Sequence, residues 1–350
     1  MNTTLELGYI NGIIKNHKEN SIYGRWIRLS DVEKVLSKFE NSSYFSSKII
    51  GNSEDSRNIH EVTIGNGSKK ILIWTQMHGN ESTGTKAVID LINYLYKLKD
   101  KIRLQILTNA TIKIIPLLNP DGAEYYTRYN ANSIDLNRDA VNKDAAESKL
   151  LRKVLDNFKP DFCFNLHDQR TIFGVEGENK PATISFLAPS EESSRKVTNT
   201  RIKTMNVICS MNKLLQEIIP GQVGRYSDEF YPTATGDNFQ KLGFPTILIE
   251  SGHFKDDYQR ETVRNFTFMS LLQGIYHISS VKNFNDYQDY FKIPNNVKNF
   301  GDLLHIYPNK ENVGYLYEEI LEENLIKFIP KMIKEDISNL IFHKEIDFVR

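Results

Sequence analysis

The residues best suited to chemistry in this chain are few and far apart: His78 and Glu81 in Met77-His-Gly-Asn-Glu81, His167 in Leu166-His-Asp168, and Glu250 closing Thr246-Ile-Leu-Ile-Glu250. His78 and Glu81, three positions apart on a tight turn entering a helix, can present an imidazole and a carboxylate to one ion. With His167 they make the two-histidine, one-carboxylate donor set of a catalytic zinc, whose fourth position stays open to water. Such an ion lowers the pKa of that water to about 7 and polarises a carbonyl. The chemistry then needs a separate carboxylate to take and deliver a proton, and Glu250, at the end of an apolar run, is the candidate. Each residue alone has an ordinary explanation. H-x-x-E recurs by chance, a single histidine sits on many surfaces, and a single glutamate caps helices or pairs with cations.

What sets these residues apart is the element that precedes each of them. Apolar strand-like runs at 71–74, 111–118, 161–166 and 245–249 alternate with stretches of helical period at 85–98, 144–158, 193–218 and 261–279. Strands that are continuously apolar belong inside a sheet covered on both faces, so the alternation predicts an α/β fold with a mixed, largely parallel sheet and helices on both faces. Ligands bind at the carboxyl ends of strands in such sheets, and His78, Glu81, His167 and Glu250 all stand at strand ends. Three smaller expectations follow: a hairpin at Gly65-Asn-Gly67 between strands 59–64 and 71–74, a strand at 183–187, and a helix at 29–39 started by Ser30-Asp31. Beyond Lys282 the rhythm weakens, and 313–333 reads as part of a small strand-and-helix unit. The expected division is an N-terminal segment (1–50) packing on a catalytic domain (51–285), followed by a C-terminal appendage (286–350).

Between the strand ends that lead to Glu81 and to His167 lies Asn119-Pro-Asp-Gly122, a turn by its residue types, then Arg128 and Asp135-Leu-Asn-Arg138. The two arginines and Asn137 offer donors suited to a carboxylate or a developing oxyanion. In order and spacing, His78-x-x-Glu81, Asn119-Pro-Asp-Gly, Arg128, Asp135-Leu-Asn137-Arg138, His167 and Glu250 resemble the zinc metallocarboxypeptidases of the carboxypeptidase A type, over about residues 50–280. The resemblance implies that fold, with a twisted sheet, and one Zn2+ held by His78, Glu81 and His167. It also implies Glu250 as the catalytic glutamate, Arg128 as the group that polarises the scissile carbonyl, and Asn137 and Arg138 as the seat of the substrate's terminal carboxylate. The family's mobile tyrosine has two candidates, Tyr231 and Tyr226, and Asp237 falls near its side-chain pocket. Asn80 stands where many members carry arginine. His-Gly-Asn-Glu also occurs in the related aspartoacylase and succinylglutamate desuccinylase branch. Asp168, or equally a backbone carbonyl, can orient a metal-bound ring, and His253 reads as a surface residue more readily than as one lining the cleft.

Composition narrows the partners. Lys plus Arg and Asp plus Glu are both 44, and this neutrality argues against a nucleic-acid binder. No apolar run approaches the roughly 20 residues that span a bilayer, and Cys163 and Cys209 read as free thiols of a reducing compartment. The expectation is a cytoplasmic hydrolase, with no signal peptide in the chain as read, acting on a peptide or small amide with a free C-terminal carboxylate. Two alternatives stand beside it: a zinc deacylase of small N-acyl amino acids, and a non-catalytic binding protein of the same fold.

Overall fold

The strands are β1 (Phe45–Asn52), β2 (Asn58–Ile64), β3 (Lys69–Thr75), β4 (Ala110–Ile115), β5 (Phe162–Asp168), β6 (Gly174–Val175), β7 (Ile184–Leu187), β8 (Val223–Arg225) and β9 (Thr246–Ser251), the central ones built around runs of β-branched and aromatic residues. The helices are α1 (Leu7–His17), α2 (Leu29–Leu36), α3 (Thr83–Tyr96), α4 (Lys101–Asn109), α5 (Pro120–Glu124), α6 (Ala146–Phe158), α7 (Asn199–Gln216), α8 (Thr235–Lys241) and α9 (Glu261–Ser280). These come from a computed structural model that describes residues 4–97 and 100–348. Leu98, the end of one expected helix, lies outside the described residues.

Eight strands form one sheet in the order β1-β2-β4-β3-β5-β9-β7-β8. Its centre, β4, β3, β5 and β9, is parallel. At one edge β1 and β2 join antiparallel, and at the other β7 runs antiparallel to β9 and parallel to β8. The period of two within β3 shows how both faces are filled. Ile71 and Ile73 enter the core shared with α1, α3, α7 and α9, whereas Leu72 and Trp74 pack with Leu151 and Leu155 of α6 and Phe239 of α8. Each such side chain stabilises the fold by roughly 1.5–3 kcal/mol, which is why these strands carry so few polar residues.

The hairpin expected at Gly65-Asn-Gly67 is not formed. Four consecutive buried residues, Ile71–Trp74, make β3 a central strand with parallel neighbours on both sides, so β2 pairs with β4 instead (Val62 opposite Ile114). The glycines serve close packing: a Cβ on Gly67 would stand 2.0 Å from the Asn109 carbonyl carbon. The expected helix at 193–218 begins only at Asn199, where the Thr198 hydroxyl accepts from the Arg201 N–H. That at 29–39 ends at Leu36. Cys163 is buried, Cys209 half-buried, and both are free. Among the described residues no helix is long and apolar enough to cross a membrane.

Past α9 the chain turns to β structure. β10 (Asn296–Val297) pairs with β6, and β11 (Phe300–Ile306), β12 (Val313–Glu322), β13 (Leu325–Met332) and β14 (Ile341–Asp347) form a second sheet in the order β13-β12-β11-β14. The strand-and-helix unit expected at 313–333 is two antiparallel strands. Glu323 and Asn324, both at positive φ (51° and 62°), make the two-residue turn between them.

Candidate active site

His78 leaves the end of β3 through a loop that approaches a second loop at backbone distance. A Cβ on Gly79 would lie 1.9 Å from the Gly122 carbonyl carbon, so only glycine fits between His78 and Glu81 at that point. The second loop is Asn119-Pro-Asp-Gly122. It is less a free turn than the start of α5, with Pro120 in the first turn and the Asn119 Oδ1 accepting from the Gly122 N–H at 2.8 Å. Asp121 anchors it from behind through Arg57 (2.7 Å) and Ser53 (2.7 Å).

The His78 ring is fixed by Asp135, whose Oδ1 lies 3.1 Å from Nε2. With that nitrogen donating, Nδ1 turns its lone pair toward Glu81 Oε1 (3.0 Å) and His167 Nδ1 (3.2 Å). His167 Nδ1 is in turn 3.0 Å from Glu81 Oε2. All three side chains are buried. Two ring nitrogens and a carboxylate thus crowd one point, an arrangement in which their lone pairs repel unless a proton or cation sits among them. Tetrahedral ligands at zinc distances of about 2.0–2.1 Å stand roughly 3.3 Å apart, close to the spacing seen here. The donor set therefore fits zinc. Burial pushes the His167 pKa down, toward the neutral ring that ligates metals. Burial alone would raise the Glu81 carboxyl, but His78 and His167 outweigh it and hold it well below the usual range.

Glu250 stands on β9 directly in register with His167 on β5. Its carboxylate makes no hydrogen bond among the described residues. Burial raises its pKa well above the usual value, and the neighbouring Glu81 and Asp168 add to the effect. Arg128 borders the same point: its Nε donates to Asp135 Oδ2 at 2.9 Å, while Nη1 lies 3.3 Å from His78 Nδ1 and 3.5 Å from Glu81 Oε1. Asp135 thus holds one histidine and one arginine at once.

Asp135 also accepts from the Asn137 N–H at 2.9 Å, tying this cluster to the next loop. The Asn137 Oδ1 is taken by the Thr235 N–H at the start of α8 (3.0 Å), and its amide N–H2 makes no hydrogen bond among the described residues. Arg138 is exposed, its guanidinium carbon 5.9 Å from the centre of the Tyr231 ring. The structure separates the two tyrosine candidates. Tyr231 is half exposed beside Arg138, with its hydroxyl donating to Glu229 (2.9 Å). The Tyr226 phenol is pushed up by burial, with Glu250 and Glu81 adding to the effect. Asp237 accepts from the Tyr231 N–H, and burial raises its carboxyl to about 6.

Two expectations are corrected. The Asp168 side chain orients no ring: its Oδ2 accepts from Thr83 at the head of α3 (2.7 Å from Oγ1), and it is the Asp168 backbone N–H that donates to Glu81 (3.1 Å). His253 is buried, not on the surface, and its Nε2 accepts from Arg260 at 3.1 Å. Asp135 as the shared clamp was missed, although Asp135-Leu-Asn137-Arg138 was in view. Its role shows only once residues 78 and 128 are folded against it.

Comparison with known proteins meets the motifs at the same place. Residues 32–187 match the zinc carboxypeptidase family. This stretch spans the His78, Glu81, Arg128, Asn137, Arg138 and His167 positions. "Probable carboxypeptidase 2" of Trichophyton verrucosum is 29% identical over 103 residues, which cover 29% of this chain and 20% of the fungal protein. "Carboxypeptidase SOL1" of Arabidopsis thaliana is 42% identical over 134 residues, 34% of this chain and 27% of the plant protein. The chain thus spans only about a fifth to a quarter of these relatives' length. The fold is that of solved carboxypeptidases: carboxypeptidase A from Helicoverpa armigera superposes with a TM-score of 0.58 at 15% identity, covering 79% of this chain and 80% of that one.

Proposed function

We propose that this zinc carboxypeptidase relative is a zinc-dependent metallocarboxypeptidase that releases the C-terminal residue of a peptide. The observation that carries the reading is the convergence of His78, Glu81 and His167 within 3.0–3.2 Å of one another, with Glu250 on the adjacent strand and Arg128 at the rim. His78, Glu81 and His167 would hold zinc, which when bound polarises a carbonyl and lowers the pKa of a water. Arg138 and the Asn137 amide receive the substrate's terminal carboxylate, with Tyr231 beside them. That docking lays the last amide bond toward Glu250 and Arg128. Glu250, with its raised pKa, takes the proton from the attacking water and returns it to the leaving amine. Arg128, fixed by Asp135 and open to the cleft, donates to the oxyanion as the carbonyl becomes tetrahedral. The free thiols Cys163 and Cys209 support a reducing, cytoplasmic setting.

The test offers zinc-loaded protein a peptide library with free C-termini, the same peptides amidated, and a panel of N-acyl amino acids. Release of single C-terminal residues from the free peptides alone is expected, and Glu250→Gln should abolish it while zinc stays bound. Preferential hydrolysis of N-acyl amino acids would transfer the site to the deacylase reading. No hydrolysis of any of them would favour the binding-protein reading.

A further inference from the structure

The second sheet reaches the active site through one side chain. Glu319, on the face of β12 turned toward the main domain, is almost fully buried and is met by three side chains from three separate parts of the chain, an ion pair from Arg25 and hydrogen bonds from Arg170 and Tyr126. Arg25, from the N-terminal segment and completely buried, stands 3.0 Å away through Nη2. Arg170, two residues past Asp168, donates from Nη1 at 2.8 Å and, from the same nitrogen, to the Asn80 carbonyl at 3.2 Å. Tyr126 donates its hydroxyl to the same carboxylate. Burial would raise the Glu319 carboxyl, yet Arg25 and Arg170 outweigh it and keep the group ionised.

Each of these side chains lies in, or is tied to, a loop that carries candidate site residues. Tyr126 lies two residues before Arg128 and holds a left-handed backbone (φ 56°), a conformation a bulky residue keeps only where its surroundings impose it. Asn80 is the neighbour of Glu81. The Arg25 carbonyl accepts from the hydroxyl of Ser82, the next residue on. A second grip holds the loop after Glu250: Tyr258 donates to Asp302 of β11 (2.7 Å) and sits edge-on to Tyr317, Phe328 and His343 of the second sheet.

We propose that Glu319 is a positioning residue for the catalytic cleft, and that the second sheet acts as a clamp setting the Tyr126–Arg128 loop and the His78–Glu81 turn relative to each other. The consequence for turnover rests on the peptidase reading above; the clamp itself does not. Glu319→Gln keeps the shape but withdraws the charge that two arginines face, and Tyr126→Phe cuts the contact from the other side while leaving the arginines paired.

Backbone hydrogen exchange and steady-state kinetics of the full-length zinc-loaded protein test this together. In both variants amide exchange across 122–130 should rise at least tenfold while β3 and β5 keep wild-type protection, and kcat on a C-terminal peptide substrate should fall about tenfold with KM within twofold. Unchanged exchange in that loop would overturn the proposal. So would a rise spread evenly through β3 and β5, which would mean that Glu319 serves stability alone. Local exchange with no peptide turnover even in the wild type would uphold the clamp and reject the peptidase reading. A wild-type kcat in a variant with a loosened loop would overturn the positioning role.

Discussion

Asp135→Asn isolates the step on which the site's geometry turns. The carboxylate now accepts the His78 Nε2 proton at 3.1 Å and the Arg128 Nε proton at 2.9 Å, one on each oxygen. An asparagine keeps one acceptor, and its N–H2 must face a donor, so either the ring or the guanidinium loses its partner. Losing the carboxylate behind a metal-ligating histidine weakens metal affinity or activity by about 10–100-fold, equal to roughly 1.4–2.7 kcal/mol. If the amide turns its oxygen to Arg128, that loss falls on zinc. If it turns to His78, the loss falls on turnover, since a hydrogen bond to a charged group contributes about 1.5–3 kcal/mol. Zinc affinity by chelator competition and kcat at saturating zinc separate the two, and their combined deficit should reach at least tenfold. A variant within threefold of wild type in both would refute the argument that Asp135 holds His78 and Arg128 in place.

Two further predictions concern stability. Folding raises the Asp237 carboxyl from the ordinary 3.8 to about 6 through burial, so the folded chain binds that proton more tightly than the unfolded one. The stabilisation is complete below pH about 4 and is lost as pH rises through 6. Asp237→Asn should therefore lose less stability than wild type between those limits, and parallel denaturant midpoints across pH 4–7 would contradict this. Arg264 donates to both oxygens of buried Asp90 (2.7 Å each) and to the carbonyls of Glu19 and Ile22, pinning the N-terminal segment to α9. Arg264→Leu strands the Asp90 charge and should lower the unfolding free energy in urea by roughly 3–5 kcal/mol; a loss under 1 kcal/mol would count against it.

What could be read from the chain alone follows from how local each signal is. β3, β5 and β9 announce themselves because a strand buried on both faces is apolar at every position, and the residue that ends each one is then marked as a site candidate. The roles that failed were relational. Gly65-Asn-Gly67 has the composition of a hairpin, and only the competition of β4 for β2 decides otherwise. Asp168 and His253 have types that suit an orienting or a surface role, and the identity of their neighbours, Thr83 and Arg260, comes from elements 85 positions and 7 positions away. Glu319 lies 149 positions from Arg170 in a segment without periodic signal, so nothing local pointed to it. Asp135 shows the intermediate case: its motif was visible, but its two partners converge on it only through tertiary packing.

The central claim is that His78, Glu81 and His167 form one zinc site. Anomalous diffraction at the zinc edge, on crystals of protein purified without chelator, tests it most directly. The account predicts a single strong peak at bonding distance, about 2.0–2.2 Å, from His78 Nδ1, His167 Nδ1 and a Glu81 carboxylate oxygen. A peak elsewhere in the molecule, or none at these three residues in zinc-supplemented crystals, would contradict it.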